Sequence, residues 1–352
     1  NSSGSAGNIT INGESLTISN SGFIDNSTLG QGDAGDVFAN ISGSISINNN
    51  GRISSTVGFN TNTNSIVQGV VGNGGNITIN GESLTINSGL IDNATFGVGN
   101  AGDVLVDIEG EIRINDSQIF SSVEQIGKGN AGEIRIVGGL ITLENNAQID
   151  TETLRTREGD AGTIIVSTPE LNIKSGARLT ARTRSNNGSG GTVRINADTI
   201  NLSAGTGIFA ETTSSSLGGS IFLQPNITNG RIEISNTDDA SSVIETDNEN
   251  SITENNPQIS ASTSGSGSGG NITIQNAAIA ILNNIDLITS TTRSGQAGNI
   301  IVSIPQLNIQ DGARLSAETN STGDGGIIRI ESNKVNLSGS GSEVSANTSG
   351  SG

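Results

Sequence analysis

The chain has 352 residues, a formal net charge of −18 and no Cys, His, Met, Trp or Tyr. That composition excludes disulfides, thiolate or imidazole metal sites and every catalytic triad built on His or Cys. The acidic balance argues against nucleic acid, which selects a basic stripe, and against an anionic membrane surface. No stretch is long and apolar enough to insert into a membrane.

Residues Gly7 to Ala34 read GNITINGESLTISNSGFIDNSTLGQGDA, and the segment returns nearly unchanged from Gly75 as GNITINGESLTINSGLIDNATFGVGNA. A Gly followed by apolar residues two apart recurs at Gly7, Gly35, Gly75, Gly102, Gly132, Gly162, Gly191, Gly219, Gly270, Gly298 and Gly326. Successive anchors lie 27 to 30 residues apart, except for intervals of 40 after Gly35 and 51 after Gly219. A period of that size marks a solenoid, and extra residues within one period become surface loops.

Three short runs fill each unit. The first carries pairs such as Ile9/Ile11, Ile77/Ile79 and Ile134/Ile136, and the second Leu16/Ile18, Leu84/Ile86, Ile232/Ile234 and Ile279/Ile281. Alternation of β-branched residues predicts half-buried strands. The third run begins at Ile24, Ile53, Ile91, Ile119, Ile149, Leu179, Ile208, Ile259, Leu287, Leu315 and Val344. Four residues beyond each of these stands Thr, replaced by Val only at Val57 and Val123. Thr and Val share a shape and a stiff χ1, so this column is predicted to stack inside the coil. An interior Thr column argues against a flat, outward, ice-binding Thr face.

Taken in order, units one to three (7–101) are rich in Asn, Thr and Gly, and an insertion near 58–74 carries Ile66, Val67, Val70 and Val71. Those apolar residues predict a loop folded back on the solenoid wall. Units four to seven (102–218) hold most of the Arg. There Glu152, Arg182 and Glu211 occupy one outward position in consecutive units, with Arg155, Arg157, Arg178 and Arg184 on the same flank. Unit eight (219–269) contains an acidic, polar insertion at 235–258, and units nine to eleven (270–352) resume the regular rhythm. The middle outward residue of the first run is Thr10, Phe38, Thr78, Leu105, Arg135, Ile165, Arg194, Phe222, Thr273, Ile301 and Arg329, polar and apolar in strict alternation.

Strand-only units that cannot close a sheet alone predict an all-β, right-handed parallel β-helix, one solenoid over 1–352. It would have three strands per coil and about eleven coils of roughly 28 residues. The turn at each end of the chain marks it as an expected interior piece of a longer array. Neighbouring repeats of that chain, or further copies in a fibre, are then its first partners.

Two site readings compete with this scaffold. Glu152, Arg182 and Glu211 form the best candidate for a polysaccharide-acting carboxylate cluster; the plainer reading is a charge ladder on a sheet. Asp33/Asp36, Asn100/Asp103, Asn130/Glu133 and Asp160 recur at the turn before the first strand. They suggest either calcium ligation or ordinary turn chemistry, and the latter is favoured. No catalytic residue, cofactor or metal is expected. No G-x-x-x-x-G-K-[ST] occurs, so the Gly-rich turns do not read as a nucleotide loop.

The GNITI, SLTI, GARLTA and GNAG segments resemble the repeats of cyanobacterial filamentous-haemagglutinin-like exoproteins, across the whole chain except the two insertions. The resemblance implies a β-helical shaft exported to the outer surface of a Gram-negative-type cell by two-partner secretion. It further implies a role in adhesion or extracellular matrix, with surface glycans or a host or cell surface as partners. The expected function is therefore a structural shaft of a secreted adhesin or fibre, not an enzyme. The alternatives are a polysaccharide-acting β-helix enzyme and a self-assembling matrix fibre without a receptor.

Overall fold

The computed structural model describes residues 3–60, 63, 65–124, 127–154, 158–185, 187–227, 229–236 and 256–349. It is all-β, with no helix among the described residues. Each unit contributes one strand to each of three 11-stranded parallel sheets, and in each sheet the strands follow one another in coil order. The result is a solenoid of eleven stacked coils, numbered here from the N-terminus. In coil 1 the three strands are Ile9–Gly13, Leu16–Ile18 and Phe23–Asp25.

The alternating apolar residues form continuous columns. Ile9, Val37, Ile77, Val104, Ile134, Ile164, Val193, Ile221, Ile272, Ile300 and Ile328 are successive partners along the first sheet. The third-run aliphatics, Ile24 to Val344, do the same in the third sheet. All of these side chains except Val344 in the last coil join in one hydrophobic core along the axis. Branched aliphatics suit it because each must fill a layer only about 4.8 Å thick.

The Thr column lies inside, as its shape predicts. Thr28, Val57, Thr95, Val123, Thr153, Thr183, Thr212, Thr263, Thr291, Thr319 and Thr348 are linked by consecutive parallel bridges. Their hydroxyls mostly bond to nearby backbone: Thr95 Oγ1 donates to the Asn100 carbonyl at 3.1 Å, and Thr319 Oγ1 to that of Asp324 at 2.7 Å. Thr153 and Thr183 also bond to each other. Two residues earlier, Asn or Ser side chains in the first four coils tie the third strand to the glycine turns beside it. Asn26 Nδ2 donates to the Asp36 carbonyl at 2.8 Å, and Ser55 Oγ to that of Gly35 at 2.8 Å.

The anchor glycines serve close approach. A Cβ added at any of Gly35, Gly75, Gly102, Gly132, Gly162, Gly191, Gly219, Gly270, Gly298 or Gly326 would lie 1.7–2.3 Å from the carbonyl oxygen of the preceding anchor. None of these residues has positive φ, so it is space, not backbone conformation, that excludes a side chain. Pro169 and Pro305 sit just before second strands, at Glu170–Ile173 and Gln306–Gln310, where no ladder N–H is lost.

The second sheet corrects one expectation. In coil 9 the buried residues are Ala280 and Leu282, not Ile279 and Ile281. Val302 and Leu307 of coil 10 are five residues apart, whereas Ile274 and Ala280 of coil 9 are six, and Asn276 takes φ 62° in that corner. One extra residue exchanges the two faces of the strand. At coil 8 the ladder also slips by two: Ile200 pairs with Ile234, yet Ile232 pairs with Ala280 and Ile234 with Leu282. An even slip keeps the apolar face inward.

The insertion at 58–74 forms a small hairpin of Phe59–Asn60 and Ser65–Ile66. Val67 and Val70 pack on Ala34 and Val57, as expected of a loop folded on the wall. Ile66 and Val71 do not, remaining 45% and 49% exposed. Of the insertion at 235–258, residues 235–236 extend the strand Arg231–Asn236, while 237–255 lie outside the described residues.

Two substitutions test this packing by chemical denaturation. Gly162→Ala places a methyl 1.9 Å from the Gly132 oxygen and is expected to cost about 2 kcal/mol. Gly13→Ala meets nothing closer than 3.7 Å and should change stability by less than about 0.5 kcal/mol. Thr289 Oγ1 is buried without a hydrogen-bond partner, in a column otherwise often Ala. The near-isosteric Thr289→Val therefore should stabilise by about 1 kcal/mol.

Candidate functional site

The third sheet carries the densest charge. Its strands expose one side to the core, yet several side chains on the opposite side are buried as well: Ser54, Asp92, Ser122, Asp150, Thr180, Phe209, Glu211 and Ser260. The outer face of this sheet is therefore the floor of a recess along the axis. Side chains there meet their counterparts one coil away, because Asp150, Thr180 and Phe209 are direct register partners.

Glu152, Arg182 and Glu211 do come together. Each directly precedes a bridged Thr: Thr153, Thr183 and Thr212. Arg182 Nη2 donates to Glu211 Oε2 at 3.0 Å, and Ser260 Oγ donates to Glu211 Oε1 at 2.7 Å. Both oxygens of Glu211 are thus engaged structurally. On the same flank the Arg178 guanidinium stands 6.0 Å from the Phe209 ring centroid. That ring fills the space left by Gly207, where an added Cβ would lie 2.3 Å from Phe209 Cζ. Arg155 and Arg157 lie outside the described residues.

Burial sets the protonation of the remaining carboxylates. Asp150 is pushed well above the usual carboxylate range by burial and then by the negative charge of Glu152. Burial also raises Glu152, although Arg182 and Arg184 oppose it. Glu124, on the neighbouring coil, is raised to about 7 by burial, then by the charges of Asp92 and Glu152. The recess thus holds carboxylates that take up protons more readily than exposed ones, Glu124 among them near neutral pH.

Sequence reasoning missed two ion pairs on this face. Arg52 bonds to Asp92 across one coil boundary, and the Arg52 guanidinium lies 5.1 Å from the Phe59 ring centroid. Phe59 stacks on Phe96 at 5.0 Å, which pins the inserted hairpin to the recess. Arg314 grips Asp286 with two bonds, Nε to Oδ1 at 2.9 Å and Nη2 to Oδ2 at 2.7 Å. The second pair was legible, since the residues are 28 apart and in direct register. The first was obscured by the 40-residue coil.

The calcium candidates form ladders instead. Asp33 Oδ1 accepts the Asn73 amide N–H at 2.7 Å, Asn73 Oδ1 that of Asn100 at 2.9 Å, Asn100 Oδ1 that of Asn130 at 2.9 Å, and Asn130 Oδ1 that of Asp160 at 2.9 Å. A parallel file runs through Asp36, Asn76, Asp103 and Glu133. Each Asn or Asp side chain satisfies a backbone donor of the next coil, which explains why these residues recur there. Among the described residues no three carboxylates gather as a metal site would require.

Comparison with protein-family models, curated proteins and solved structures found no match for this chain.

The recess gives a pH prediction. The folded pKa of Glu124, about 7, lies above its unfolded value of 4.5, so the folded state binds its proton first as pH falls. The associated stability is complete below the unfolded value and is lost as pH rises through about 7. Asp150 and Glu152 act in the same direction. Thermal melts between about pH 8 and pH 5 should rise on acidification by the equivalent of roughly 2 kcal/mol. Glu124→Gln should raise the midpoint at the alkaline end and flatten this dependence.

Proposed function

We propose that this chain is the structural shaft of a secreted or cell-surface filamentous adhesin or extracellular fibre. The observation that supports it is the continuous parallel pairing of three 11-stranded sheets, coil on coil. Coils that pair only with their neighbours add length and stiffness in proportion to their number, and eleven of them span roughly 50 Å. The acidic, amide-rich skin suits a rod held in water at high local density. The adhesin reading, export by two-partner secretion and a cyanobacterial source rest on the resemblance of the GNITI, SLTI and GARLTA segments. A fibre that assembles without a receptor shares the same shaft.

A second reading draws on the recess. Asp150, Glu152 and Glu124 are carboxylates raised by burial, the first two within reach of Arg182, as acid catalysis on a polysaccharide would require. Glu211, bonded through both oxygens, is better suited to holding Arg182 in place.

Antibody labelling of intact producing cells tests the first reading: surface signal along extended structures is expected, and retention inside the cell would overturn it. Cleavage of an acidic polysaccharide by the purified chain, abolished in Glu152→Gln with an unchanged melting curve, would favour the second.

A further inference from the structure

The outer face of the first sheet differs from the other two. Its central column runs Thr10, Phe38, Thr78, Leu105, Arg135, Ile165, Arg194, Phe222, Thr273, Ile301 and Arg329, each paired in register with the next. Apolar side chains occupy coils 2, 4, 6, 8 and 10, and Thr or Arg the coils between. The corresponding column of the second sheet is polar over its first seven coils, with Thr17, Ser46, Thr85, Arg113, Thr142, Asn172 and Asn201. The third sheet's outer face is the charged recess. The first sheet thus presents apolar rungs about 10 Å apart, with a Thr or Arg rung between each pair.

We propose that this face joins two copies of the chain side by side, a reading that rests on the fibre-forming shaft and names its lateral partner. The pattern is complementary to itself. A second copy displaced along the axis by one coil sets each apolar rung of one chain over a Thr or Arg rung of the other. One such contact already exists within the chain, where the Arg194 guanidinium lies 4.5 Å from the Phe222 ring centroid. Ile165, set between Arg135 and Arg194, is only 7% exposed although it points away from the core. Long Arg side chains therefore cover apolar rungs on this face, as they would from a partner.

Charge favours the same occupant. The chain carries −18 overall, yet on the outer face of these strands Arg135, Arg194 and Arg329 are balanced by Asp107, Glu133 and Glu331, with Arg135 paired to Glu133 and Arg329 to Glu331. Two copies meeting here bring together a strip without net charge, and Arg and aromatic residues are those enriched in interface centres.

Sedimentation velocity across a wide concentration range tests the pairing. The wild-type chain is expected to shift from monomer to a dimer or larger species as concentration rises. A variant with Phe38, Leu105, Ile165, Phe222 and Ile301 all replaced by Thr, the residue of the alternate coils, should remain monomeric with its circular-dichroism spectrum retained. Thr85→Ala with Thr142→Ala on the second sheet should associate like wild type. A wild-type chain monomeric throughout, or a five-Thr variant that associates equally, would overturn the proposal. Either result leaves the shaft intact, because scattering from the monomer still reports whether the chain is a rod.

Discussion

The whole structure depends on backbone touching backbone at the anchor glycines. Each coil brings its anchor so close to the carbonyl of the preceding one that no Cβ fits between them. That contact fixes the register of every coil on the last. Once it is fixed, residues of equal position in successive repeats become neighbours, however their sequences differ. The inward columns then need only matching shape, which branched aliphatics and Thr provide.

The same register governs the outside. A residue's partner is whatever the next repeat places beside it, so single-residue changes turn into files of like chemistry. Asn and Asp at the turns accept amide N–H groups one coil away, which occupies side chains that resemble cation ligands in one dimension. In the recess the same stacking crowds carboxylates together, and Arg side chains between them oppose the rise that burial imposes on Glu152. On the first sheet it lines up ridges two coils apart. Three faces built on one scaffold thereby acquire three separate characters.

Most of this architecture was readable from spacing. The anchor glycines, the apolar alternation and the Thr column all repeat at fixed intervals, and Thr183 over Thr212 lies where the period places it. The failures occurred where the interval changed. One residue added around Asn276 exchanged the faces of the coil 9 strand, since alternation alone cannot say which parity is inward when the pattern reads Ile-Ala-Ile-Leu. Arg52 and Asp92 were missed because the long coil hid their adjacency. The burial of outward residues on the third sheet was not legible at all, because it follows from the shape of the wall and not from any one repeat. Glu152, Arg182 and Glu211 were recognised as a group, but only the coordinates separate the fully bonded Glu211 from the buried Glu152.

Distances between paired spin labels test the stacking most directly, since the chain has no Cys and introduced thiols are unique. Thr85, Thr142, Asn201 and Asn283 share one outward column of the second sheet, in coils 3, 5, 7 and 9. Labels at Thr85 and each of the others should lie about 10, 19 and 29 Å apart in turn, a linear increase of about 4.8 Å per coil. Separations that level off, or that fail to rise in this order, would contradict a single stacked axis.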